Sequence, residues 1–393
     1  MLVEGIHFRT GEPIALRLKE GRIAEIKRKR DESNEALPCV APGLVDLQIN
    51  GYGGWDFNQV PINEQAAERV THMLYREGVT TYFPTVITNS DEAIAEALRS
   101  IVGARAEDSL IERAIGGIHL EGPFISPEDG PRGAHNSDYV RAPDWSLFQR
   151  WQEVAEGTIR ILTLSPEWPE APEFIARCVE SGVTVAIGHT AATPEQIQVA
   201  VAAGALMSTH LGNGAHPMLP RHPNYIWEQL AQDDLWACVI ADGFHLPNSV
   251  LKVVLRTKSE RAILVSDAVA LSGMEPGQYD TPIGSRVVLA PEGKLYLADT
   301  PELLAGSVKT LREGIEHLVL SQLSNLPDAW EMASTRPATL LHLPTRTGLS
   351  AGAPADLVVF RYASRRIDVL RTYKEGRMVH RSASEGATEE ERQ

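Results

Sequence analysis

The segment that decides the fold is APGLVDLQINGYGGWDF, residues 41–57. Gly43 to Asn50 has the apolar composition of a buried strand, and the glycines that follow predict a tight loop. Two amides, Gln48 and Asn50, lie at the end of this strand. Because side chains alternate along a strand, both amides should point the same way. We therefore expect polar chemistry at the carboxyl end of a buried strand.

The same apolar composition recurs along the middle of the chain, where seven further apolar runs alternate with stretches that have helical periodicity. These runs are VTTYFPTV (79–86), IGGIHLEG (115–122), IRILTLSP (159–166), VTVAIGHT (183–190), LMSTHLGN (206–213), WACVIADG (236–243) and AILVSDAV (262–269). One intervening helix is expected to begin after Thr193, a residue type that caps helix N-termini. Because strands covered by helices on both faces are apolar throughout, the pattern predicts an α/β fold. The two candidate architectures are a (β/α)8 TIM-like barrel and a doubly wound open sheet.

Polar side chains follow almost every one of these runs. They are Asn50, Glu121, His189, His210, Asp267, and Asp242 with His245 just beyond the seventh run. A barrel brings the carboxyl ends of its strands to one mouth, whereas an open sheet distributes them along an edge. Because a shared mouth explains why polar residues recur at the same place, we predict the barrel.

Both ends of the chain consist of short alternating segments separated by turns. The segments EPIALRLKEGRIAEIKRK near the start and GAPADLVVFRYASRRIDVLRTYKEGRMVH near the end predict β-strands. We expect residues 1–41 and 347–382 to pack as one small β-sandwich domain beside a metal-dependent hydrolase barrel of residues 42–346. Residues 383–393 are polar and acidic, and we expect them to form a disordered tail.

The composition limits the partners of the protein. The 393 residues carry a formal net charge of −15, and nucleic-acid binding needs a basic surface, so no nucleic-acid partner is expected. The three cysteines are far apart in sequence and form no disulfide framework. No signal-peptide pattern opens the chain, and no apolar run is long enough to span a bilayer. We therefore expect a cytoplasmic protein without a membrane partner, in which a local Arg or His receives any anionic small molecule.

Three of the residues at strand ends have the chemistry of metal ligands. A carboxylate and two imidazoles, Glu121, His189 and His210, form a set that suits Zn²⁺ or a similar divalent ion and leaves a position open for water. Asp267 would act as a general base toward that water, and a cap on a following helix is the alternative. For Asp242, which precedes a glycine, a turn-forming role is equally compatible with the sequence.

Two long loops at the expected mouth carry polar residues suited to substrate recognition. ISPEDGPRGAHN (125–136) contains Arg132 and His135, and HLGNGAHPMLPRHPN (210–224) contains Asn213, His216, Arg221 and His222. His119 lies two residues before Glu121 on the same strand face, and we expect it to support the ligands rather than bind the metal.

Taken as a set, nine short segments resemble the N-acetylglucosamine-6-phosphate deacetylases of the amidohydrolase superfamily. They are PGLVDLQINGYGG, HLEGPFISPEDGPRGAHN, LSPE, IGHTAAT, THLGN, ADGFH, LVSDA, LAGS and STRPA. The resemblance covers most of the chain and includes the split β-domain at the termini. It implies an enzyme that hydrolyses N-acetylglucosamine 6-phosphate to glucosamine 6-phosphate and acetate. The alternative is an amidohydrolase that acts on another N-acyl or cyclic amide substrate.

The resemblance also implies roles for residues. It implies Glu121, His189 and His210 as ligands of one divalent metal ion per subunit, with Zn²⁺ favoured over Fe²⁺, Co²⁺ and Mn²⁺. It implies Asp267 as the catalytic base and then acid, and His135 as a group that polarises the acetyl carbonyl. The implied substrate-binding residues are Ala134, His135, Asn213, Gly214, Arg221, Asp242, His245, Leu304, Ala305 and Gly306. Gln48 and Asn50 match the members that bind a single metal ion.

The resemblance extends to assembly, with one departure from the family pattern. The arginine that Arg221 matches reaches the substrate from a neighbouring subunit, which implies a homodimer. The departure is HLGNGAHPM in place of HLxNAM, with Gly212 for a bulky residue, Gly214 for alanine, and His216 added. The lost bulk would admit a larger group, which leaves the exact sugar open. His216 would either contact a phosphate or pack the loop.

Overall fold

The computed structural model of the chain describes residues 1–29, 37–280, 286–383 and 385. The strands are β1 (Leu2–His7), β2 (Pro13–Lys19), β3 (Arg22–Arg28), β4 (Cys39–Pro42), β5 (Leu44–Ile49), β6 (Gly51–Tyr52), β7 (Trp55–Asp56), β8 (Val79–Ile87), β9 (Ile118–Glu121), β10 (Ile159–Leu164), β11 (Thr184–Ile187), β12 (Met207–Ser208), β13 (Trp236–Val239), β14 (Ala262–Leu264), β15 (Gly277–Asp280), β16 (Arg286–Leu289), β17 (Leu295–Leu297), β18 (Thr300–Leu304), β19 (Leu357–Ala363), β20 (Arg366–Lys374) and β21 (Arg377–Arg381). The helices are α1 (Ala66–Arg76), α2 (Asp91–Glu107), α3 (Ser109–Ala114), α4 (Trp145–Val154), α5 (Ala171–Glu180), α6 (Pro194–Ala202), α7 (Tyr225–Ala231), α8 (Asn248–Lys258), α9 (Leu311–Leu320), α10 (Leu326–Met332) and α11 (Thr335–Leu340). Within the described ranges, no helix combines the length and the apolar character needed to cross a membrane. The predicted tail, residues 383–393, lies outside the described residues apart from Ala383 and Glu385.

Eight parallel strands form the central sheet, in the order β14–β13–β12–β11–β10–β9–β8–β5. The segment after β14 returns to the first of these strands. The Asp267 amide donates to the Gln48 carbonyl at 2.9 Å, and the Asn50 amide donates to the Ala268 carbonyl at 2.8 Å. These bonds bring the two ends of the sheet together, as closure of a barrel requires. The predicted (β/α)8 TIM-like barrel is confirmed, and the open sheet is wrong.

The inside of the barrel is a packed core. One hydrophobic cluster takes side chains from strands all around the barrel, including Val45, Phe83, Ile161 and Cys238, and is joined by Leu340 of α11. A larger cluster packs the helices against the outer faces of the strands. Because both faces of the strands are buried, their sequences are apolar throughout, which explains the runs from which the barrel was predicted.

Side-chain caps set the beginnings of several barrel helices. Thr193 caps α6, since its Oγ1 accepts from the Gln196 amide while Gln196 Oε1 accepts from the Thr193 amide. The same reciprocal arrangement joins Thr310 and Glu313 at the start of α9. Each pair satisfies backbone N–H groups that would otherwise have no partner at a helix start. The predicted cap at Thr193 is confirmed.

The two ends of the chain share a seven-stranded sheet, in the order β21–β20–β19–β4–β1–β2–β3. Strand β4 joins the two halves, because it pairs in parallel with β1 and antiparallel with β19. A buried ion pair fastens this sheet to the barrel: Lys374 Nζ lies 2.7 Å from Asp356 Oδ2 and donates to Thr81 Oγ1 of β8 at 3.2 Å. The β-rich unit built from both termini is confirmed, while the domain boundaries proposed from the sequence stay predictions.

A four-stranded antiparallel sheet, β15–β16–β17–β18, is inserted between barrel strand β14 and helix α9. It has its own small core of Val287, Leu289 and Leu295, with Val308. The sequence patterns did not predict this insert. Its last strand leads into the segment 304–307, which bridges to Ala268 through its final residue. The insert therefore delivers this segment to the strand end that carries Asp267.

Candidate metal centre and active site

Glu121, His189 and His210 meet at the mouth of the barrel. The Nε2 atoms of His189 and His210 lie 3.3 Å and 3.1 Å from Glu121 Oε1, and 3.1 Å from each other. All three side chains are buried. Among the described residues, these three form the one group of metal-ligating side chains close enough to share an ion. The structure thus brings together the three residues that the sequence predicted.

This donor set fits a divalent metal ion. Ligand atoms held about 2.0–2.1 Å from a tetrahedral metal lie about 3.3 Å from one another, close to the spacing found here. His189 Nδ1 donates to the Pro131 carbonyl at 2.8 Å, so Nε2 of a neutral ring keeps its lone pair. Burial alone would raise the pKa of Glu121, but His189 and His210 hold it well below its usual range. An ionised carboxylate therefore faces two ring nitrogens across a gap of ligand size.

The backbone is strained where side chains enter the mouth. The φ angles of His189, His210 and Asp267 are +48°, +25° and +47°. This left-handed region costs a non-glycine residue about 1–2 kcal/mol. Each residue follows a barrel strand at its carboxyl end, so the unusual turn sets the direction of its side chain. Such strain persists at functional sites because the surrounding fold over-determines it.

The two amides of the first barrel strand each bind one carboxylate. Gln48 Nε2 donates to Glu121 Oε1 at 2.9 Å, and Asn50 Nδ2 donates to Asp267 Oδ1 at 2.8 Å. Both amides therefore act as hydrogen-bond donors at the edge of the candidate metal centre. Amide side chains are weaker ligands than imidazoles for ions such as Zn²⁺, and here both amides are engaged with carboxylates.

Asp267 is the second carboxylate of the mouth. Burial raises its pKa to about 6, while His210 and the hydrogen bond from Asn50 act in the opposite direction. No helix begins at this residue, because the next helix along the chain is α9, which Thr310 caps. The helix-cap alternative for Asp267 is therefore wrong. Its carboxylate is available to exchange a proton near neutral pH.

His135 lies against the same cluster. Its ring centroid is 4.4 Å from that of His189, and its Nδ1 lies 2.8 Å from Thr88 Oγ1. Burial lowers the pKa of His135 to about 3, so the ring is neutral. A Thr88 hydroxyl that donates to Nδ1 leaves an N–H on Nε2. The ring can then donate a hydrogen bond without carrying a charge.

Comparisons with known proteins agree with this geometry. The sequence profile of the amidohydrolase family matches residues 39–379. The N-acetylglucosamine-6-phosphate deacetylase of Lysinibacillus sphaericus is 30% identical over 348 residues, which cover 87% of this chain and 88% of that protein. The chain belongs to the N-acetylglucosamine-6-phosphate deacetylase family of amidohydrolases. Membership of the amidohydrolases implies a divalent metal ion, for which Glu121, His189 and His210 are the candidate site.

Solved structures of this deacetylase family have the same fold. The crystal structure of the N-acetyl-D-glucosamine-6-phosphate deacetylase from Mycobacterium smegmatis is 29% identical, with a TM-score of 0.84 over 97% of this chain and 100% of that one. A mutant of that enzyme was solved in complex with N-acetyl-D-glucosamine-6-phosphate; it is 29% identical and has a TM-score of 0.84 over 96% of this chain and 99% of that one.

The loop after His210 departs from the deacetylase pattern at two glycines, and side chains of this chain lie close to both. A Cβ atom added at Gly214 would lie 2.6 Å from His189 Nδ1, and one at Gly212 would lie 2.9 Å from Leu246 Cδ2. The space beside both glycines is thus filled by side chains of this chain. The expectation that the lost bulk admits a larger substrate group stays a prediction.

His216 packs two loops of this deacetylase-family chain together. Its backbone amide donates to the Tyr225 hydroxyl at 2.8 Å, and its Nε2 lies 3.0 Å from Glu128 Oε2. The loop that contains Glu128 also carries the Pro131 carbonyl that binds His189. Of the two roles considered for His216, these contacts are those of loop packing.

Asp242 and His245 form a tight pair beyond strand β13. Asp242 Oδ1 accepts from the amides of Phe244 and His245 at 2.8 Å and 2.9 Å, and His245 Nδ1 lies 2.6 Å from Asp242 Oδ2. Asp242 therefore has the turn-forming contacts and also orients the ring of His245. With Nδ1 engaged, His245 presents Nε2 away from the turn.

The remaining predicted substrate residues are less closely tied to the centre. Asn213 Nδ2 donates to the His210 carbonyl at 3.2 Å, and Ala134 lies exposed in the turn before His135. A Cβ atom on Gly306 would lie 2.6 Å from Val269 Cγ1, which places Leu304, Ala305 and Gly306 beside the Asp267 segment. Arg221 is exposed and has no hydrogen-bond or ion-pair partner in the part of the chain that is described. This single chain does not bring Arg221 to the cluster.

Two contributors to the site were missed in the sequence. Thr88 holds His135, and Glu167 joins three loops, since its carboxylate accepts from Ser126 Oγ at 3.0 Å, Ser165 Oγ at 2.7 Å and the Ala191 amide at 2.8 Å. Thr88 lies just past an apolar run and gave no signal. Glu167 stands in the quoted segment LSPE, where an acidic residue directly after a strand was the available signal.

Proposed function

We propose that this chain hydrolyses the N-acetyl amide of N-acetylglucosamine 6-phosphate, giving glucosamine 6-phosphate and acetate. The observation that carries the proposal is the convergence of Glu121, His189 and His210 beside Asp267 at the mouth of a barrel of this family. The named relatives, and the substrate-bound mutant enzyme from Mycobacterium smegmatis, support the choice of amide.

We propose that Glu121, His189 and His210 hold one divalent ion per chain, with Zn²⁺ the preferred metal. Two ring nitrogens and a carboxylate oxygen at this spacing suit Zn²⁺ with an open coordination position. When bound, such an ion acidifies a water molecule and polarises a carbonyl oxygen. The hydrogen bonds of Gln48 to Glu121 and of Asn50 to Asp267 support a single ion.

Asp267 is the proposed proton carrier. It takes the proton of the attacking water and then gives it to the amide nitrogen, which leaves as an amine. A pKa near 6 suits both steps, since the group is mostly ionised at pH 7 yet basic enough to hold a proton briefly. Its hydrogen bond from Asn50 fixes the orientation of the carboxylate throughout.

His135 is the proposed donor to the acetyl carbonyl oxygen. As negative charge develops on that oxygen, a hydrogen bond from a neutral ring strengthens and lowers the barrier. The contact of 2.8 Å between Thr88 Oγ1 and His135 Nδ1 orients the ring, and the proposed role requires that Thr88 donates in it, so that Nε2 carries the hydrogen. Asn213, Gly214, Asp242, His245 and the segment Leu304–Gly306 surround the same mouth and are proposed to receive the sugar.

We further propose that the active form is a homodimer in which Arg221 binds the phosphate of the substrate held by the other copy. Arg221 is exposed and unpaired within the described residues, and apolar side chains flank it. Met218 is 88% exposed and Trp227 is 54% exposed, on the same loop and the helix after it. Apolar side chains so exposed are typical of a surface that a partner covers.

The test is acetate release from a panel of N-acetyl sugars and their 6-phosphates, with metal content measured on the same sample. We expect N-acetylglucosamine 6-phosphate to react fastest, with about one ion per chain. The Asp267→Asn variant should retain the fold and the metal but lose turnover; an active Asp267→Asn enzyme would contradict the proposed proton carrier. Fast hydrolysis of a different amide, with none from the phosphorylated sugar, would favour the wider amidohydrolase alternative.

A matched pair of arginine variants tests recognition of the phosphate. Arg221→Ala should raise KM for the phosphorylated sugar strongly, because a charge-assisted contact to phosphate is lost. Arg17→Ala, at an exposed position in the terminal sheet, removes the same charge far from the mouth and should leave KM unchanged. Equal KM values for the two variants would count against a phosphorylated substrate.

A further inference from the structure

A chain of buried hydrogen bonds runs across four barrel strands beneath the candidate metal centre. His119 Nδ1 lies 3.0 Å from the Leu47 carbonyl oxygen, and His119 Nε2 lies 2.7 Å from Thr163 Oγ1. Thr163 Oγ1 in turn lies 2.6 Å from Thr209 Oγ1. The three polar side chains are at most 2% exposed. We name these four residues the His119 belt.

The Leu47 carbonyl sets the direction of the hydrogen bonds in the His119 belt when the ring is neutral. The Leu47 carbonyl can only accept, so Nδ1 of His119 carries the hydrogen. Nε2 of a neutral ring then accepts from the Thr163 hydroxyl, 2.7 Å away. Thr163, having donated its hydrogen to the ring, accepts from Thr209. With a neutral ring, no other assignment of the hydrogens satisfies all of these atoms, so the belt holds its members in one arrangement.

Each member of the belt stands next to a residue of the centre. Leu47 directly precedes Gln48, Thr209 directly precedes His210, and His119 lies two residues before Glu121 on the same strand. Thr163 lies opposite Glu121 in the parallel register of β9 and β10.

The strand that carries the remaining candidate ligand, His189, packs on the belt as well. A Cβ atom on Gly188, the residue before His189, would lie 2.7 Å from Thr209 Cβ and 2.9 Å from Thr163 Cγ2. Strand β11 can approach the belt this closely only because the residue there is glycine. The belt therefore sets how far apart the strand ends that carry Glu121, His189 and His210 lie.

We propose that His119 is a positioning residue that fixes the spacing of Glu121 and His210, and through it the affinity of the site for a divalent ion. The inference rests on the proposed metal-binding role of these two residues. A site whose ligand atoms lie 3.1–3.3 Å apart tolerates only small shifts between strands. An apolar side chain in place of His119 would fill the volume but would make no hydrogen bonds to fix how far the strands are offset along the barrel axis.

Three substitutions at His119 distinguish the contribution of its hydrogen bond to Leu47 from that of its hydrogen bond to Thr163. His119→Asn keeps a donor near Nδ1 for Leu47, His119→Gln keeps an acceptor near Nε2 for Thr163, and His119→Phe keeps the ring without either bond. The measurement is the dissociation constant for Co²⁺ by competition with a chelator, together with the visible absorption of the Co²⁺ form. We expect about 10–100-fold weaker binding for His119→Phe, as for other residues that support metal ligands, with the other two between it and the parent.

A control variant distinguishes positioning from general stability. Leu98→Ala removes a buried side chain from α2, remote from the mouth, and should lower the thermal midpoint while leaving the Co²⁺ dissociation constant unchanged. Folded His119→Phe protein that binds Co²⁺ within twofold of the parent would overturn the proposal. If His119→Phe does not fold, Thr163→Val makes the same test, since it removes the donor to Nε2 at nearly constant volume.

The outcome is separable from that of the proposed function. Metal binding is measured without substrate. A parent chain that binds Co²⁺ but releases no acetate would therefore refute the proposed reaction without contradicting the role of the His119 belt in metal binding. A parent that deacetylates the sugar, with His119 variants of unchanged metal affinity, would refute the belt alone.

Discussion

The substitution Gly214→Ala tests whether the loop after His210 is built against the candidate metal centre. An added Cβ atom would lie 2.6 Å from His189 Nδ1, about 0.8 Å closer than an ordinary contact. If the ring yields by that distance directly away from Pro131, the 2.8 Å hydrogen bond from Nδ1 to the Pro131 carbonyl lengthens to about 3.6 Å, which no longer counts as a bond. His189 then loses the partner that fixes its orientation.

The expected effect has a backbone part and a ligand part. The φ angle of Gly214 is +55°, and alanine in this region costs about 1–2 kcal/mol of stability. Loss of the bond that orients a metal ligand typically weakens metal binding about 10–100-fold. We therefore expect Gly214→Ala to lower the thermal midpoint of the metal-free protein modestly and to raise the Co²⁺ dissociation constant by about one to two orders of magnitude.

Gly157→Ala is the matched control. Its φ angle is +74°, yet a Cβ atom there meets nothing within 4 Å. This variant has the backbone cost without the contact, so its metal affinity should equal that of the parent. Calorimetry of the metal-free proteins and competition titration with Co²⁺ measure the two parts separately. If the Gly214→Ala and Gly157→Ala proteins bind metal equally well, the reasoning is refuted. Such a result would show that the loop moves away from the His189 ring when alanine, the residue of the family pattern, stands at position 214.

Three further predictions concern catalysis, stability and assembly. Thr88→Val should lower kcat for acetate release about tenfold or more while metal affinity is unchanged, because His135 loses the group that orients it; an unchanged kcat would show that Thr88 does not set the tautomer. Burial raises the pKa of Asp46 to about 7, whereas the same group in the unfolded chain loses its proton above about pH 4. Because only the folded chain holds this proton between about pH 4 and pH 7, the free energy of unfolding falls as the pH rises through that range. The asparagine of Asp46→Asn carries no titrating proton, so the free energy of unfolding of this variant in urea should rise relative to that of the parent between pH 5 and pH 8, by up to roughly 4 kcal/mol. A difference between variant and parent that does not change with pH would contradict a raised pKa. Trp227→Glu should yield a monomer of low activity in sedimentation and acetate assays, while Val253→Glu, at a similarly exposed position on α8, should not; a dimeric Trp227→Glu protein would argue against this interface.

The barrel was predictable because burial on both faces leaves a strong sequence signal. The runs at 43–50, 79–86 and 159–166 correspond to β5, β8 and β10 with small shifts. Strand β12 is the weak case, since only two residues of the run at 206–213 are strand. The run continues as a turn because His210 adopts a left-handed φ, a local strain that apolar periodicity does not report.

Contacts between distant loops were beyond the reach of the sequence. His216 meets Glu128 across 88 residues, and Gly214 lies under His189, so the glycine signalled a missing side chain without showing what fills the space. The insert β15–β18 was missed for a related reason. Its strand GQYD alternates between half-buried and exposed residues, so it lacks the apolar face by which a strand is predicted.

The proposed chemistry depends on two carboxylates at one barrel mouth, Glu121 and Asp267. The pKa of Glu121 is lowered and that of Asp267 is raised. Glu121 is buried and Asp267 is half-buried, and loss of contact with water by itself raises the pKa of each. Glu121 has two imidazoles within 3.3 Å and is held ionised, as a metal ligand must be. Asp267 has one amide as its bonded partner, so burial prevails and the group exchanges its proton near pH 6.

The amide pair of the first barrel strand preserves this separation. Gln48 donates to the ligand and Asn50 donates to the proton carrier, each neutral and each committed to one carboxylate. A protonated imidazole in place of Asn50 would lower the pKa of Asp267 further and weaken it as a base. The segment LVDLQIN therefore does more than mark a barrel strand: its two amides keep one carboxylate suited to a metal ion and the other suited to a proton.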